Sequence, residues 1–266
     1  MSGDFDGKVV VITGASTGLG RAIAVETAGR GAAAVVINFS RSADEAEETA
    51  ALVRAGGAEA VLAQADVADD EGCRRVAAAA QRFGRIDALF NNAGVTKFAN
   101  NHADLDAVSA EDFLRLYQVN VVGAFQMIRA ARALLEAGES AGAVVNTSSI
   151  AAVTGIGSSA PYAASKGALN TLTLSLARAL APRIRVNAVC PGFIDTPWFG
   201  RALPQDSLAR MRAGVAAGTP LKVASTAEDI AGAAVFLASP AARHITGETL
   251  LVDAGTHLGF APLVAR

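Results

Sequence analysis

Two residues of a predicted helix, Tyr162 and Lys166, have the types and the spacing that acid–base chemistry needs. Side chains four positions apart share a face of a helix and lie roughly 6 Å apart along its axis. A free phenol has a pKa of about 10, but a neighbouring ammonium stabilises the phenolate and lowers that pKa. Such a tyrosine can protonate a carbonyl oxygen or deprotonate an alcohol. A serine hydroxyl at the end of the preceding predicted strand, 143–147, can hold the same oxygen.

A glycine-rich turn, Thr13-Gly-Ala-Ser-Thr-Gly-Leu-Gly20, follows the first predicted strand and opens the first predicted helix. Glycines permit a tight turn and let a phosphate approach the backbone. The start of the helix adds free N–H groups and the positive end of the helix dipole. The spacing is G-x-x-x-G-x-G rather than G-x-G-x-x-G, yet the strand–turn–helix context predicts dinucleotide binding instead of a plain structural turn.

The end of the second predicted strand, 35–38, bears on which dinucleotide binds. An NAD-binding protein usually carries a carboxylate there, but this chain reads Asn38-Phe-Ser-Arg-Ser42. Arg41 can pair with a 2′-phosphate, and Ser40 can donate a hydrogen bond to it. The pattern therefore favours NADP(H) and leaves NAD(H) as the alternative. The competing interpretation of Arg41 is a solvated residue at a helix start.

Seven short apolar runs alternate with helical patterns, and these elements must position the residues above. The runs are continuous, which is typical of parallel strands buried on both faces. The alternation predicts an α/β fold: a single-domain, doubly wound parallel sheet of the Rossmann type with helices on both faces. The predicted strands are 8–13, 35–38, 60–62, 86–90, 143–147, 185–189 and 249–252, and the predicted helices are 20–31, 43–55, 70–83, 110–137, 162–180 and 226–237. Two stretches, 96–105 and 192–223, are predicted to be irregular and to cover a site.

Composition excludes several classes of protein. Of the 266 residues, 52% are hydrophobic and 18% charged, and the net charge is −2. This balance argues against disorder and against electrostatic binding of nucleic acid. We also expect no membrane partner, because no apolar run approaches the roughly 18 residues of a transmembrane helix. The N-terminus does not resemble a secretory signal, and Cys73 and Cys190 form no metal-type cluster, so we expect a reducing cytoplasm and no metal.

Taken together, the motifs resemble those of the short-chain dehydrogenases/reductases along nearly the whole chain, in order and in spacing. The matching positions are the turn from Thr13 to Gly20, Asp66-Val67, Asn91-Asn-Ala-Gly94, Asn120, Ser149, Tyr162 with Lys166, Asn187, Pro191-Gly192 and Thr196. The resemblance implies a catalytic tetrad of Asn120, Ser149, Tyr162 and Lys166. It favours Ser149 over Ser148 because the family's serine lies 13 positions before its tyrosine.

The same resemblance implies which residues contact the cofactor. Asp66 and Val67 would flank the adenine, Asn91, Ala93 and Gly94 would lie near a ribose, and Lys166 would bond the nicotinamide ribose. Ile194 and Thr196 would bond the carboxamide and pyrophosphate region. The predicted cofactor-binding residues are Gly14, Ser16, Thr17, Gly18, Leu19, Gly20, Ser40, Arg41, Ser42, Asp66, Val67, Asn92, Ala93, Gly94, Tyr162, Lys166, Pro191, Gly192, Ile194 and Thr196.

The activity that the resemblance implies is NADP(H)-dependent hydride transfer between nicotinamide and a ketone or secondary alcohol. The nearest likeness is to 3-oxoacyl-carrier-protein reductases and broad-range carbonyl reductases, so a 3-oxoacyl thioester is one candidate substrate. The alternatives are a sugar or polyol dehydrogenase and, in another class, a non-catalytic nucleotide-sensing scaffold, against which the intact tetrad argues. Relatives usually form homotetramers through their long helices, here 110–137 and 162–180. Residues 1–150 would form the cofactor half, and 151–225 the catalytic helix and substrate lid.

Three positions leave a question for the structure. Many NADPH-using relatives carry a basic residue where this chain has Thr17. Ala254 replaces a glycine of the family pattern, which is mild if its φ is negative and unfavourable if φ is positive. Trp198, next to Phe199, is either a packing anchor or a wall of the substrate pocket.

Overall fold

One sheet of seven parallel strands forms the centre of the molecule. The computed structural model describes residues 3–99, 101–196, 198 and 205–259. The strands are β1 (Val9–Ile12), β2 (Ala34–Phe39), β3 (Glu59–Gln64), β4 (Ala88–Asn91), β5 (Gly142–Thr147), β6 (Ile184–Pro191) and β7 (Thr249–Val252). Their order is β3-β2-β1-β4-β5-β6-β7, so the direction of winding reverses between β1 and β4. In such sheets ligands bind beyond the carboxyl ends of the strands at that reversal.

Helices cover both faces of the sheet, as the sequence predicts. They are α1 (Gly18–Gly29), α2 (Ala43–Ala55), α3 (Asp70–Ala79), α4 (Ala110–Tyr117), α5 (Ala124–Glu136), α6 (Ala151–Thr154), α7 (Ala160–Leu180), α8 (Gln205–Gly218) and α9 (Ala227–Ala238). Because successive strand residues point to opposite faces, Val10 packs with α1, α2 and α9, whereas Val11 packs with α3 and α5. Within the described ranges, no helix has the length and apolar character to cross a membrane.

The fold class is confirmed, and every predicted strand overlaps an observed one. Two predicted helices were wrong in extent. The predicted helix 110–137 is interrupted by a π-helical segment, Gln118–Gly123, and the predicted helix 70–83 ends at Ala79 before a 3₁₀ turn, Gln81–Phe83. The interruption lies where Gly123 packs tightly on Val67: an added Cβ would come within 2.9 Å of the Val67 carbonyl oxygen.

The stretch 192–223, predicted to be irregular, contains α8. Its sequence from Leu208 to Ala213 is rich in Leu, Ala, Arg and Met, all strong helix formers, and this signal outweighs the flanking glycines and prolines. Positions 197 and 199–204 of the predicted lid, including Phe199, lie outside the described residues.

The turn after β7 packs against the end of β6. Ala254 has a φ of 55°, the left-handed region that an L residue adopts only at a cost. The Asp253 carboxylate holds the turn by accepting hydrogen bonds from the backbone N–H of Gly255 (3.0 Å) and of His257 (2.8 Å). The turn is also close to the site, because a Cβ on Gly192 would lie 2.9 Å from Asp253 Cβ. Alanine at position 254 is therefore the unfavourable case of the two that the sequence left open.

Ala254→Gly should stabilise the protein. Glycine removes the steric cost of the left-handed conformation, and after the added entropy of the unfolded chain we expect a gain of about 0.5–1 kcal/mol. Urea denaturation measures the free energy of unfolding. The matched control is Ala51→Gly on the exposed side of α2, which should lose about 1 kcal/mol. Equal destabilisation by both changes would show that Ala254 is not strained.

Candidate active site

A cavity of about 540 Å³ opens at the carboxyl ends of β1, β4, β5 and β6. Most predicted site residues line it: Gly14, Ser16, Thr17, Gly18, Leu19, Asn92, Ala93, Gly94, Ser149, Tyr162, Lys166, Pro191, Gly192, Ile194 and Thr196. The other predicted residues lie outside the lining: Gly20, Ser40, Arg41, Ser42, Asp66, Val67 and Asn120. The cavity thus joins the glycine turn to the tyrosine and lysine of α7.

The glycine turn has the geometry of a phosphate cradle. Gly14 and Gly18 adopt φ values of 61° and 56°, and a Cβ on Gly14 would lie 2.9 Å from Ala93 Cα. The N-cap of α1, Thr17, makes no side-chain capping bond, and the first turn carries no acidic residue. The N-termini of α3 and α9, in contrast, are capped by Asp69 and Thr226. The free N–H groups of α1 therefore face the cavity and suit a pyrophosphate.

Reciprocal hydrogen bonds tie this turn to the end of β4. Thr13 Oγ1 accepts from the backbone N–H of Asn92 and of Ala93, each at 3.0 Å. The Asn92 amide donates to the carbonyl oxygens of Thr13 (3.1 Å) and Gly14 (2.9 Å). Gly20 supports the turn by close packing, since a Cβ there would lie 2.4 Å from the Gly14 oxygen. These contacts fix the width of the crevice.

Asn91 differs from Asn92, because the Asn91 side chain points into the core. It is 4% exposed, and its amide donates to Asn146 Oδ1 at 2.9 Å. The structure therefore places Asn92, Ala93 and Gly94 on the cavity, and Asn91 beneath the sheet end. This buried position is unfavourable for the cofactor contact that the resemblance implies for Asn91.

The residues predicted to do acid–base chemistry lie on α7 and just beyond the end of β5. The Ser149 hydroxyl lies near that of Tyr162, close enough to favour the phenolate. Lys166 Nζ donates to the Thr147 carbonyl oxygen at 2.7 Å and lies 5.7 Å from the centroid of the Tyr162 ring. The Ser148 hydroxyl is engaged elsewhere, because it donates to the Lys166 carbonyl oxygen at 3.2 Å. Of the two serines, Ser149 is thus the partner of the tyrosine.

Burial dominates the electrostatics of this pair. It raises the pKa of Tyr162, and the nearby Ser149 hydroxyl opposes that shift. Burial also lowers the pKa of Lys166 from 10.5 to about 8. The net direction for the phenol is opposite to the one predicted from the tyrosine–lysine spacing, because desolvation disfavours the charged form of either group. At neutral pH the phenol is therefore protonated and the amine still mostly charged.

Asn120 lies in the π-helical segment, beside this pair rather than on the cavity wall. It is 2% exposed and makes a two-way contact with Val95: its Oδ1 accepts from the Val95 N–H at 2.9 Å, and its amide donates to the Val95 oxygen at 3.1 Å. The amide also donates to Ser165 Oγ at 3.0 Å. Gly94 fits between Asn120 and Lys166, since an added Cβ would lie 3.4 Å from Asn120 Oδ1 and 3.7 Å from Lys166 Nζ. Asn120 thereby joins the loop after β4 to α7.

Most of the residues predicted near the adenosine lie on open surface. Ser40 and Arg41 are exposed at the end of β2, and within the described part of the chain the Arg41 side chain makes no ion pair. Ser42 is the N-cap of α2. Asp66 Oδ1 accepts from the Ala68 N–H at 2.9 Å, and its other oxygen lies 3.7 Å from Arg115 Nη2. Val67 is buried beside the π-helical segment.

Two aromatic side chains complete the wall of the cavity. Phe98, in the loop after β4, is 48% exposed, and Trp198, beyond β6, is 42% exposed. Trp198 therefore takes the pocket-wall position of the two that the sequence left open. Phe98 was not singled out from the sequence, and the available signal was a large apolar residue inside a stretch predicted to cover a site. The same lining includes Val95, Thr96, Thr147 and Ser148.

Helix α8, in the stretch predicted to form a lid, is attached to the cavity wall by an ion pair. Arg212 Nε and Nη2 contact the two carboxylate oxygens of Asp195 at 2.7 and 2.8 Å. Asp195 lies between Ile194 and Thr196, and its N–H donates to the Ser225 oxygen at 2.9 Å. The residues that the structure describes contain no group of three or more His, Cys, Asp or Glu side chains placed to hold a metal ion.

Known proteins match this chain along almost its full length. A family model described as enoyl-(acyl carrier protein) reductase matches residues 14–257. The chain is 40% identical to a Streptomyces violaceoruber protein named as ketoacyl reductase 2 of granaticin polyketide synthase, covering 95% of this chain and 97% of the other. It is 38% identical to an L-rhamnose 1-dehydrogenase (NAD(P)⁺) of Sphingomonas sp. (strain SKA58), covering 95% and 97%.

A solved structure agrees with these relatives. A short-chain dehydrogenase of Burkholderia cenocepacia J2315, crystallised in complex with NADP, superposes with a TM-score of 0.83 at 32% identity, covering 95% of this chain and 98% of that one. The sheet, the glycine turn and the matched relatives lead to one conclusion: the chain belongs to the short-chain dehydrogenase/reductase family and is an oxidoreductase.

Proposed function

We propose that the protein catalyses NADP(H)-dependent interconversion of a ketone and a secondary alcohol. The observation that carries the proposal is the cluster of Ser149, Tyr162 and Lys166 in the same cavity as an uncapped helix start. When bound, the nicotinamide cofactor supplies or accepts the hydride. The glycine turn and the N-terminus of α1 fit its pyrophosphate, because Gly14 and Gly18 have positive φ and Gly14 leaves no room for a Cβ.

The residues of the chain divide the remaining work. Ser149 holds the substrate oxygen, and Tyr162 protonates it during reduction or takes the proton during oxidation. Burial favours proton donation to the substrate, since it keeps the phenol protonated at neutral pH. The Lys166 ammonium stabilises the phenolate that remains and holds the nicotinamide ribose. Asn120 is a positioning residue, because its contacts run to Val95 and Ser165.

The other predicted cofactor residues divide by location. Asn92, Ala93 and Gly94 line the middle of the cavity, and Pro191, Gly192, Ile194 and Thr196 line its far wall. We expect the first group to contact a ribose and the second to contact the carboxamide. Ser40, Arg41 and Ser42 would hold the 2′-phosphate on the open surface, and Asp66 with Val67 would flank the adenine.

Two narrower substrate classes follow from the relatives. The name of the granaticin relative favours a 3-oxoacyl thioester, and that of the rhamnose dehydrogenase favours a sugar or polyol. A nucleotide-sensing scaffold is disfavoured, since a sensor needs no buried lysine beside a tyrosine and a serine in its pocket.

We also propose that the chain is one domain, with the cofactor half in 1–150 and the catalytic helix and lid in 151–225, and that it forms a homotetramer in a reducing cytoplasm. Both thiols are free and buried, which suits that compartment. The helices expected to pair leave large apolar side chains exposed, among them Leu114 (71%), Phe125 (40%) and Leu174 (54%). A monomer mass in sedimentation at micromolar concentration would contradict the tetramer.

Tyr162→Phe should lower kcat for ketone reduction by about 100-fold or more, because it removes the proton donor and little else. The affinity for NADPH should change little. Tyr117→Phe removes the only other phenolic hydroxyl of the chain, outside the cavity, and should retain activity. Steady-state oxidation of NADPH with a panel of ketones measures both variants. Near-normal turnover in Tyr162→Phe would remove this residue from the mechanism.

The dependence of kcat/KM for NADPH on pH should report the protonation of Lys166. Because the pKa of its amine is about 8, the ammonium is lost as pH rises through that value, and kcat/KM for NADPH should decline above pH 8. This ratio reflects the enzyme before the cofactor binds. Lys166→Met should give lower values throughout and no decline near pH 8. If the variant kept the same decline, another group would be responsible for it.

Arg41→Ala should weaken NADPH binding by about tenfold to a hundredfold, the value of a charge-assisted contact of about 1.5–3 kcal/mol. NADH binding should stay nearly unchanged, since NADH has no 2′-phosphate. Arg54→Ala, at the opposite end of α2 and also exposed, is the control. The measurement is the Kd of each cofactor for the wild type and the variants. If Arg41→Ala weakened NADPH and NADH binding equally, Arg41 would not bind the phosphate. The same would follow if the wild type bound NADH as tightly as NADPH.

A further inference from the structure

We infer that this site prefers a ketone carrying a flat apolar substituent, an aryl or fused-ring ketone, over a linear 3-oxoacyl thioester or a sugar. Phe98 and Trp198 would be the residues that determine this preference. The inference rests on the proposed function, because it concerns the substrate of the same cavity.

The first observation is that the two aromatic side chains of the cavity wall are exposed. Phe98 and Trp198 line the cavity that holds Tyr162, yet 48% and 42% of their surfaces are exposed. Phe98 comes from the loop after β4, and Trp198 from the chain beyond β6, so they approach the cavity from different parts of the sheet. Covering large aromatic surfaces with an apolar group is favourable, and flat rings are the shape that such side chains pack best.

The second observation is that several polar side chains of the cavity already have partners. Thr96 Oγ1 is hydrogen bonded to Ser158 Oγ, and the Ser148 hydroxyl donates to the Lys166 oxygen. Lys166 Nζ donates to the Thr147 oxygen. The Asn92 amide nitrogen is engaged twice, with Thr13 and with Gly14. Ser149 with Tyr162 is the pair left for a single substrate oxygen.

Charge on the wall points in the same direction. Among the cavity residues that the structure describes, there is no carboxylate and no guanidinium, and the ammonium of Lys166 is buried. Lys97, next to Phe98, is paired with Asp112 at 3.4 Å. A sugar would bring several hydroxyls that need buried partners, and each unpaired one would disfavour binding. A carrier-linked thioester would gain from basic residues at the mouth, and Lys97 is already paired.

The test compares substrates of matched size in the wild-type enzyme with NADPH or NADP⁺. The panel is 2-tetralone, its saturated counterpart 2-decalone, butanone, the acetoacetyl thioester of N-acetylcysteamine, and L-rhamnose for oxidation. We expect kcat/KM for 2-tetralone to exceed that for the thioester and for rhamnose by about tenfold or more, the scale of selectivity that apolar contacts give. The kcat/KM for 2-tetralone should also exceed the kcat/KM for 2-decalone, which has the same ring skeleton but no flat aromatic ring.

Variants assign the preference to the two aromatics. Phe98→Leu and Trp198→Leu should each lower the ratio of kcat/KM for 2-tetralone to that for butanone by about fivefold to tenfold, chiefly through KM. Phe236→Leu removes a similarly exposed ring, 40%, from α9 and should leave the ratio at its wild-type value. A ratio that is unchanged in both cavity variants would overturn the assignment.

A binding measurement separates this inference from the proposed function. Trp198 is the only tryptophan of the chain, so its fluorescence reports on the cavity without turnover. In the Tyr162→Phe enzyme loaded with NADP⁺, 2-tetralone should quench this emission to saturation, and L-rhamnose should not. Activity with ketones but a preference for the thioester or rhamnose, or no quenching by 2-tetralone, overturns the substrate assignment alone. Absence of any ketone reduction by the wild type overturns the proposed function.

Discussion

The hydrogen bonds between Thr13 and the start of the loop after β4 are the constraint on which the site depends. They bring the glycine turn within van der Waals distance of Ala93, so only glycine fits at position 14. The Asn92 amide returns two bonds to the same turn. Because β1 and β4 are the strands at which the winding reverses, these hydrogen bonds set the crevice in which the glycine turn and Tyr162, the proposed proton donor, share one cavity.

The acid–base pair depends on burial as much as on its partners. Tyr162 and Lys166 are both held in low-dielectric surroundings, so the neutral form of each is favoured. For a phenol that donates a proton, this is the useful direction, because it stays protonated at neutral pH. Burial also lowers the pKa of the Lys166 amine, but a pKa of about 8 still leaves the amine mostly charged at pH 7. The bond from Lys166 to the Thr147 oxygen fixes the ammonium within reach of the ring.

Much of this arrangement follows from local sequence, and the remainder depends on tertiary packing. The glycine turn, the tyrosine–lysine spacing and the alternating strands each have a short-range signature, and the fold class is confirmed. The π-helical segment around Asn120 arises where Gly123 packs on Val67, a contact between residues far apart in the chain. The direction of the Tyr162 shift could not be predicted from spacing, because desolvation depends on the whole cavity. The same limit applies to Phe98, whose place on the wall depends on where its loop runs.

Following the hydrogen isotope tests the central claim most directly. NADPH carrying deuterium at the transferable C4 position is incubated with the enzyme and a ketone, and the alcohol is analysed by mass spectrometry. The account predicts one deuterium at the carbinol carbon of every product molecule, and none when the ketone is incubated with the labelled cofactor alone. Cofactor bound by the enzyme with no labelled alcohol formed would contradict it, and would leave the cavity as a nucleotide-binding site without this chemistry.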